Sequence, residues 1–490
     1  MIRGVAISLV SAASSGHGLA SARLLLIAVA LGVVIIGVAT GLLVAAGVVI
    51  AALAAMALAL VPETATLAFI FLLYINAPGV ATQVYGVPYL VAGLFTGLLM
   101  IPFAALMLRR QPIVILPVLL LASGFGLAML LSTLQALRLE PALDRLLVHV
   151  IEGLLLTFLV TNVVRTDRML RAALWALLLA GGFLAALSLH QGLTAAYGAT
   201  YGGFALIPAG ALLPGDEGAR LGGPVADPNR YAQILLTVLP IAAYAVVKAP
   251  NTIARISSST VGIMALVATY LTHSRGAAVA FASVLFTGVI ARVFPLRLGG
   301  FLVVVVLAGL AIAGPGYLDR LLTLPDLQPT PDAEGNVDLS ALARLTLNLA
   351  AWNVFLDHPL LGIGPGNFTL VSVEYANELG LRHLSSPFRA HNLYLEIAAE
   401  TGIVGLATFL CLVGYLSIRL WQVRSQNRLA RPDASAIATA LLFSLIAYLV
   451  TGVFLHLSFE RYFWLLVALC GAAVAILRPR PPTSPATDFA

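Results

Sequence analysis

Three stretches of this chain carry no Asp, Glu, Lys or Arg: Leu24 to Pro62, Thr64 to Leu108 and Ala172 to Gly215. A helix needs about 20 apolar residues to cross the hydrocarbon of a bilayer, so each run is long enough to hold one or more membrane spans. Over 490 residues the chain is 60% hydrophobic and only 10% charged, whereas a soluble domain carries about 25% charged residues. These figures exclude disorder, a nucleic-acid-binding domain and a disulfide-stapled secreted module, despite a net charge of +6. Cys411 and Cys470 both sit in apolar runs and predict neither a disulfide framework nor a zinc site. The short apolar stretch after Arg3 is broken by Ser and Gly and reads as a cytoplasmic or interfacial tail, with a cleaved signal peptide as the alternative.

The apolar runs parse into spans at 24–40, 42–61, 64–77, 88–108, 112–132, 146–164, 169–190, 229–247, 254–272, 276–293, 297–314, 396–418, 435–456 and 461–477. Only Thr40 and Gly41 divide the first two, and the third is short, so the expected fold is an all-α integral membrane bundle of about 12 to 14 helices. Orientation follows from the basic residues, which concentrate in short cytoplasmic loops. Arg109 and Arg110, the Arg165, Arg168 and Arg171 cluster, Lys248 with Arg255, Arg292 with Arg297, the run from Arg419 to Arg431, and Arg478 with Arg480 fall at alternate span ends. With both termini cytoplasmic, all of these clusters are cytoplasmic, and the long loops 191–228 and 315–395 lie outside. The net charge then reports topology more than it reports a partner.

Apart from Glu152, near one end of its helix, no expected span carries a charge at mid-depth. Proton-coupled carriers and pumps place ionisable groups there, and no inverted repeat with paired broken helices is evident. Chemistry is therefore expected at the outer surface.

The first outer loop ends RLGGPVADPNRYA from Arg220 to Ala232, where Asp227 or Asn229 can cap the following helix. A solvated arginine in a turn is the alternative reading of Arg220. Between two spans lies THSRGA, Thr272 to Ala277. Arg275, in the first turn of a helix, gains nothing from the helix dipole, so it hints at a bound anion, unless it merely snorkels to lipid headgroups. In the second outer loop the helical spacing of Leu342, Leu345, Leu349, Trp352 and Phe355 predicts an amphipathic helix over 341–356, on the membrane face or packed on the bundle. His358-Pro359 stops it, and GIGPGNF forms a tight turn.

That loop closes on HNLYLEIAAETG, His391 to Gly402. A histidine at the start of a helix is kept neutral by the dipole and can accept a proton. Glu396 and Glu400, four apart, share a face below it. A histidine that simply caps the helix is the main rival, and metal binding a lesser one, because no HExxH or Cys/His pair is present.

In this order, RLGGPVADPNRYA, THSRGA, Arg344 through Trp352 to HPLLGIGPGNF, and HNLYLEIAAETG resemble the bacterial O-antigen ligase and polymerase superfamily, WaaL- and Wzy-like membrane glycosyltransferases. The similarity runs from about residue 220 to 420. The resemblance implies a GT-C-like, metal-independent, inverting enzyme of the bacterial inner membrane, with no cofactor and no nucleic-acid partner. Such enzymes take a glycan from undecaprenyl pyrophosphate on the periplasmic side and pass it to a hydroxyl of lipid A core, of another repeat unit or of a protein. By motif position His391 matches the base, Arg220 and Arg275 match the pyrophosphate-binding arginines, and Arg389 matches more loosely, with Asn392, Glu396 and Glu400 in support. An O-antigen ligase is the favoured expectation, a polymerase of the same superfamily the alternative, and a lipid-linked glycan flippase the competitor from another class. The expected organisation is an N-terminal bundle over 1–190, a catalytic region over 191–420 with a long, partly helical periplasmic loop, and C-terminal helices with a cytoplasmic tail over 421–490.

Overall fold

The structure, a computed structural model, describes residues 62–87, 97–208, 219–293, 297, 339–379, 387–456 and 460–479. The N-terminal tail, the expected spans at 24–40 and 42–61, that at 297–314 beyond Arg297, and loop segments 209–218 and 315–338 lie outside the described residues. The regular structure is helical: α1 (Pro62–Tyr74), α2 (Ala77–Gln83), α3 (Gly97–Leu108), α4 (Pro117–Thr133), α5 (Leu139–Val163), α6 (Asp167–Leu193), α7 (Pro228–Val247), α8 (Thr252–Leu271), α9 (Arg275–Ile290), α10 (Leu339–Asp357), α11 (Phe368–Glu378), α12 (Leu393–Asn427), α13 (Pro432–Thr451) and α14 (Glu460–Leu477). Six of these, α5, α6, α7, α8, α12 and α13, are long and apolar enough to cross a membrane. The α1–α2 pair adds one bent candidate, and α3, α4, α9 and most of α14 are shorter apolar helices. The chain is thus a multi-span helical membrane protein, and each of these helices except α2, which lies beyond the expected span 64–77 apart from Ala77, falls on an expected span.

Side-chain oxygens start the helices where the loops end. Thr166 accepts from Met169 N at 3.2 Å to open α6, and Asn251 accepts from Ala254 N at 2.8 Å to open α8. Each satisfies one backbone donor that the first turn leaves without an intrahelical partner. Between the ends, aromatic rings of α4, α5, α12 and α14 fill the core, with Trp464 fully buried and the His149 ring 4.9 Å from it.

The bundle has two chemically distinct ends. At one, Asp433 at the start of α13 meets Lys248 beyond α7 at 2.9 Å and Arg171 of α6 at 3.3 Å, and Arg424 donates to Ala291 O after α9 at 2.7 Å. Several of the basic clusters expected in the cytoplasm therefore share one end. At the opposite end, the starts of α7, α9 and α12 gather around the short connection after α13.

Two helices break inside expected spans. The first is the expected span at 64–77, which bends by 51° between α1 and α2. Asn76 there is left-handed, with φ 62°, and its side chain donates to Pro224 O at 2.9 Å and accepts from Arg461 Nη1 at 3.3 Å. Arg461 in turn pairs with Glu152 at 3.0 Å, which gives the acidic residue of the expected span 146–164 a largely buried partner. The second break is in α12 at Gly402, with φ 63° and ψ −165°, a region of backbone space that only glycine enters readily.

A turn from the long loop fills the second break. Ile363 N and Gly364 N donate to Ala399 O and Glu400 O at 3.1 and 3.0 Å, while Ile403 N and Val404 N donate to Pro359 O and Leu360 O at 2.8 and 3.3 Å. Leu347, Ala350, Ala351 and Val354 of α10 pack with Ile363, Phe368, Ala390 and Ala399 in a second small core. The amphipathic helix expected over 341–356 is present as α10, but the face that packs on the protein differs from the expected stripe. Small residues Ala350 and Ala351 allow close approach to the turn, while Leu349 and Trp352 are 40% and 47% exposed. A Cβ on Gly402 would collide with Leu360 C and O, so Gly402→Ala is expected to cost about 2 to 4 kcal/mol. Thermal unfolding of the detergent-solubilised protein reads this as a lowered midpoint, with Gly414→Ala, whose site is open, as the unaffected control.

Candidate functional site

The connection 452–456 organises this end of the bundle. Leu393 N, opening α12, donates to Gly452 O at 2.8 Å, and Tyr394 Oη donates to Leu449 O at 2.8 Å. Gly276, next to Arg275 at the start of α9, lies against the Phe454 ring, where a Cβ would come within 2.9 Å of Cδ2. His456 then lies between Arg230 of α7 and His391. Arg230 Nη2 approaches His456 Nδ1 at 2.8 Å and donates to its carbonyl at 3.0 Å. The His391 and His456 rings stack at 5.3 Å with an interplanar angle of 13°.

His391 does not cap α12. Asn392 does, its Oδ1 accepting from Tyr394 N and Leu395 N at 3.0 and 3.1 Å. His391 precedes the cap with φ 52°, a left-handed conformation in which histidine, asparagine and aspartate are enriched. That geometry removes the main rival reading of this residue. Asp227 caps α7 in the same manner, accepting from Asn229 N at 2.9 Å and Arg230 N at 3.2 Å.

The remaining expected residues divide. Arg220 donates to Thr272 O at 3.1 Å and to Asn229 Oδ1 at 3.2 Å, which ties the first motif to the second. Arg275 is the first residue of α9, behind the Ser274 cap. Arg389 forms a fork onto Glu396, with Nε 3.0 Å from Oε1 and Nη2 on the same oxygen. Glu396 is thereby an arginine partner. Glu400 lies apart in role: buried, it accepts from Phe368 N at 3.3 Å and so serves the start of α11. Among the described residues no group of three or more His, Cys, Asp or Glu side chains is placed to hold a metal ion.

Burial lowers the pKa of His391 below the ordinary histidine value. Arg344 and Arg230 push it the same way, while Asp227 and Glu396 pull it up. His456 is held well below that value, first by burial and then by Arg389, Arg230, His391 and Arg145. Both rings are therefore neutral near pH 7. Arg230, His456 and Arg145 were not legible as site residues. Arg230 sits inside a motif read for its cap and for Arg220, and His456 stands in a connection with no motif around it.

Residues 260–410 match the family model Wzy_C, O-Antigen ligase. The resemblance carried by the motifs is borne out over that segment, which holds Arg275, Arg344, Arg389 and His391 and leaves out Arg220, Arg230 and His456. The chain is also similar to the teichuronic acid biosynthesis protein TuaE of Bacillus subtilis (strain 168), at 28% identity over 141 residues. The aligned stretch is 28% of this chain and 28% of TuaE.

The two neutral rings make stability depend on pH. A histidine whose pKa is lower in the folded than in the unfolded chain contributes stability that is complete above the unfolded value, about 6.5, and is lost as the pH falls toward the folded value. The unfolding midpoint is expected to drop between about pH 7 and 5, and the drop to shrink in His391→Asn. Thermal scans across that range measure it.

Proposed function

We propose that the chain transfers a glycan from undecaprenyl pyrophosphate to an acceptor hydroxyl at the periplasmic face of the bacterial inner membrane, as an O-antigen ligase acting on lipid A core. The observation that carries this reading is a neutral, half-buried imidazole set among arginines at one end of a dry helical bundle. The end bearing Arg171, Lys248 and Arg424 is then cytoplasmic, with both termini, and the His391 end periplasmic.

His391 takes the proton from the acceptor O–H as that oxygen attacks the anomeric carbon. The carbon's bond to the phosphate oxygen breaks, and the electron pair leaves on undecaprenyl pyrophosphate. Attack opposite the leaving group inverts the anomeric centre. Arg275 and Arg220 receive the charge that gathers on the diphosphate, a task the planar guanidinium suits because it pairs two oxygens at once. The reaction on this reading is metal-independent, and Arg389, forked onto Glu396, positions more than it binds. The resemblance to a protein of teichuronic acid biosynthesis supports a second reading, a polymerase that adds repeat units to a glycan hydroxyl. Deleting the protein from its host separates the two: full-length polymer left on the carrier marks a ligase, single repeat units a polymerase.

Purified protein, a lipid-linked donor and an acceptor test the assignment. His391→Ala is expected to lower transfer by about 10²- to 10⁴-fold with membrane insertion intact, and retained transfer overturns the base. Arg275→Lys is expected to be impaired as well, because a point charge cannot reproduce the fork. Relocation of the donor without covalent product would favour a flippase.

The arginines that hold His391 neutral also make it a weak base. A diphosphate docked on Arg275 and Arg220 brings negative charge to the same end of the bundle and offsets them, so donor binding strengthens the base that uses it. Inorganic pyrophosphate is expected to raise the pH midpoint at which diethyl pyrocarbonate modifies His391, followed by peptide mass mapping. An unchanged midpoint at saturating pyrophosphate contradicts this coupling.

A further inference from the structure

The connection that carries His456 belongs to none of the motifs, yet its imidazole is the ring stacked on His391. A guanidinium has only donors, so the 2.8 Å contact from Arg230 Nη2 makes His456 Nδ1 an acceptor and puts the ring proton on Nε2. A second bond from the same nitrogen to the His456 carbonyl, at 3.0 Å, fixes the backbone that carries the ring. Arg230 is itself 2% exposed, and Asp227, at the start of the same helix, holds its backbone N–H. The lone pair of His456 is thus committed to a buried cation.

We infer that His456, locked by Arg230, is a positioning residue for His391, holding its ring plane by stacking and denying the pair a second proton site. The inference rests on the reading of His391 as the base. A proton taken up by His391 has no route onto His456, because protonating Nδ1 would break the bond to Arg230 and set two cations in contact. The groups facing the two rings come from every neighbouring element: Arg344 from α10, Asp227 and Arg230 from α7, Arg389 before α12 and Glu396 within it, and Arg145 from α5. A change of charge at position 456 reaches His391 across the stacked rings, 5.3 Å apart.

The test uses the full chain in detergent with two substitutions that both keep an acceptor for Arg230. His456→Asp places an anion against the guanidinium and next to His391. Its carboxylate is expected to raise the pH midpoint of His391 modification by diethyl pyrocarbonate by about 1 unit or more, and to move the acid limb of the transfer profile the same way. His456→Gln keeps a neutral acceptor without a ring. It is expected to leave the His391 midpoint near that of the wild type and to lower transfer about tenfold through lost alignment. A merely structural residue would change the amount of folded protein in both variants and leave transfer per folded molecule of His456→Gln at the wild-type level. An unmoved midpoint in His456→Asp, or wild-type transfer in His456→Gln, overturns the inference. The modification midpoint is read without turnover, so it separates this failure from failure of the base reading, which retained transfer in His391→Ala would report.

Discussion

The architecture of the His391 end hangs on the interruption of α12 at Gly402. Breaking a helix inside an apolar bundle frees backbone donors and acceptors where no water can reach them, at a cost of several kcal/mol for each group left unmet. The turn from Pro359 to Gly364 supplies two donors and two acceptors to the four groups around the break. Two motifs some distance apart in sequence are thus halves of one interlock. Because that turn follows α10 and leads into α11, the same contacts anchor α10 and α11, through Ile363 and Phe368 in the second core. The first turns of α12, held by the interlock on one side and by Gly452 O on the other, present Asn392 and His391 to the 452–456 connection.

Electrostatics at this end follow from how each carboxylate is occupied. Asp227 is spent as the cap of α7, and Glu396 on the guanidinium of Arg389. Glu400 faces the start of α11. On His391 burial, Arg344 and Arg230 outweigh Asp227 and Glu396, and on His456 burial, Arg389, Arg230 and Arg145 act together, so both rings stay neutral. A site of this balance favours an anionic visitor over a cationic one, and its low dielectric makes the preference stronger than the same charges would show in water.

Much of this was legible in the sequence because the physics behind it is local. Charge-free runs mark spans, since a charge in hydrocarbon is costly wherever it falls. Asp227 announces a cap, since the unmet donors of a first turn lie within a few residues. The breaks at Asn76 and Gly402 were not legible as breaks, because what makes them affordable lies far away in sequence, in Pro224 and Arg461 for one and in the 359–364 turn for the other. Helical spacing marked the apolar stripe of α10 and left open whether it faces the membrane or the bundle; it could not say that Ala350 and Ala351 would be the closer-packed face. His456 had no local signal at all, and its place beside His391 depends on where α7, α12 and α13 end relative to one another.

The two ends of the bundle are held by different kinds of interaction, and this decides how each responds to change. The Asp433 network with Arg171 and Lys248 is partly exposed, its acidic side chain 47% accessible, and solvated ion pairs of that sort contribute about 0 to 1 kcal/mol each. Such an end tolerates substitution and can drift in sequence while it keeps its positive charge. At the His391 end the arginine on Glu396 is 17% exposed and the glutamate 4%, and removing one partner of a buried pair leaves the other uncompensated, which is far more damaging than the pair itself is stabilising. The geometry there is over-determined by backbone bonds, a stacked ring pair and buried cations that each need the others in place. Chemistry that requires atoms placed within a fraction of an ångström belongs at that end, because there moving one group disturbs several buried others.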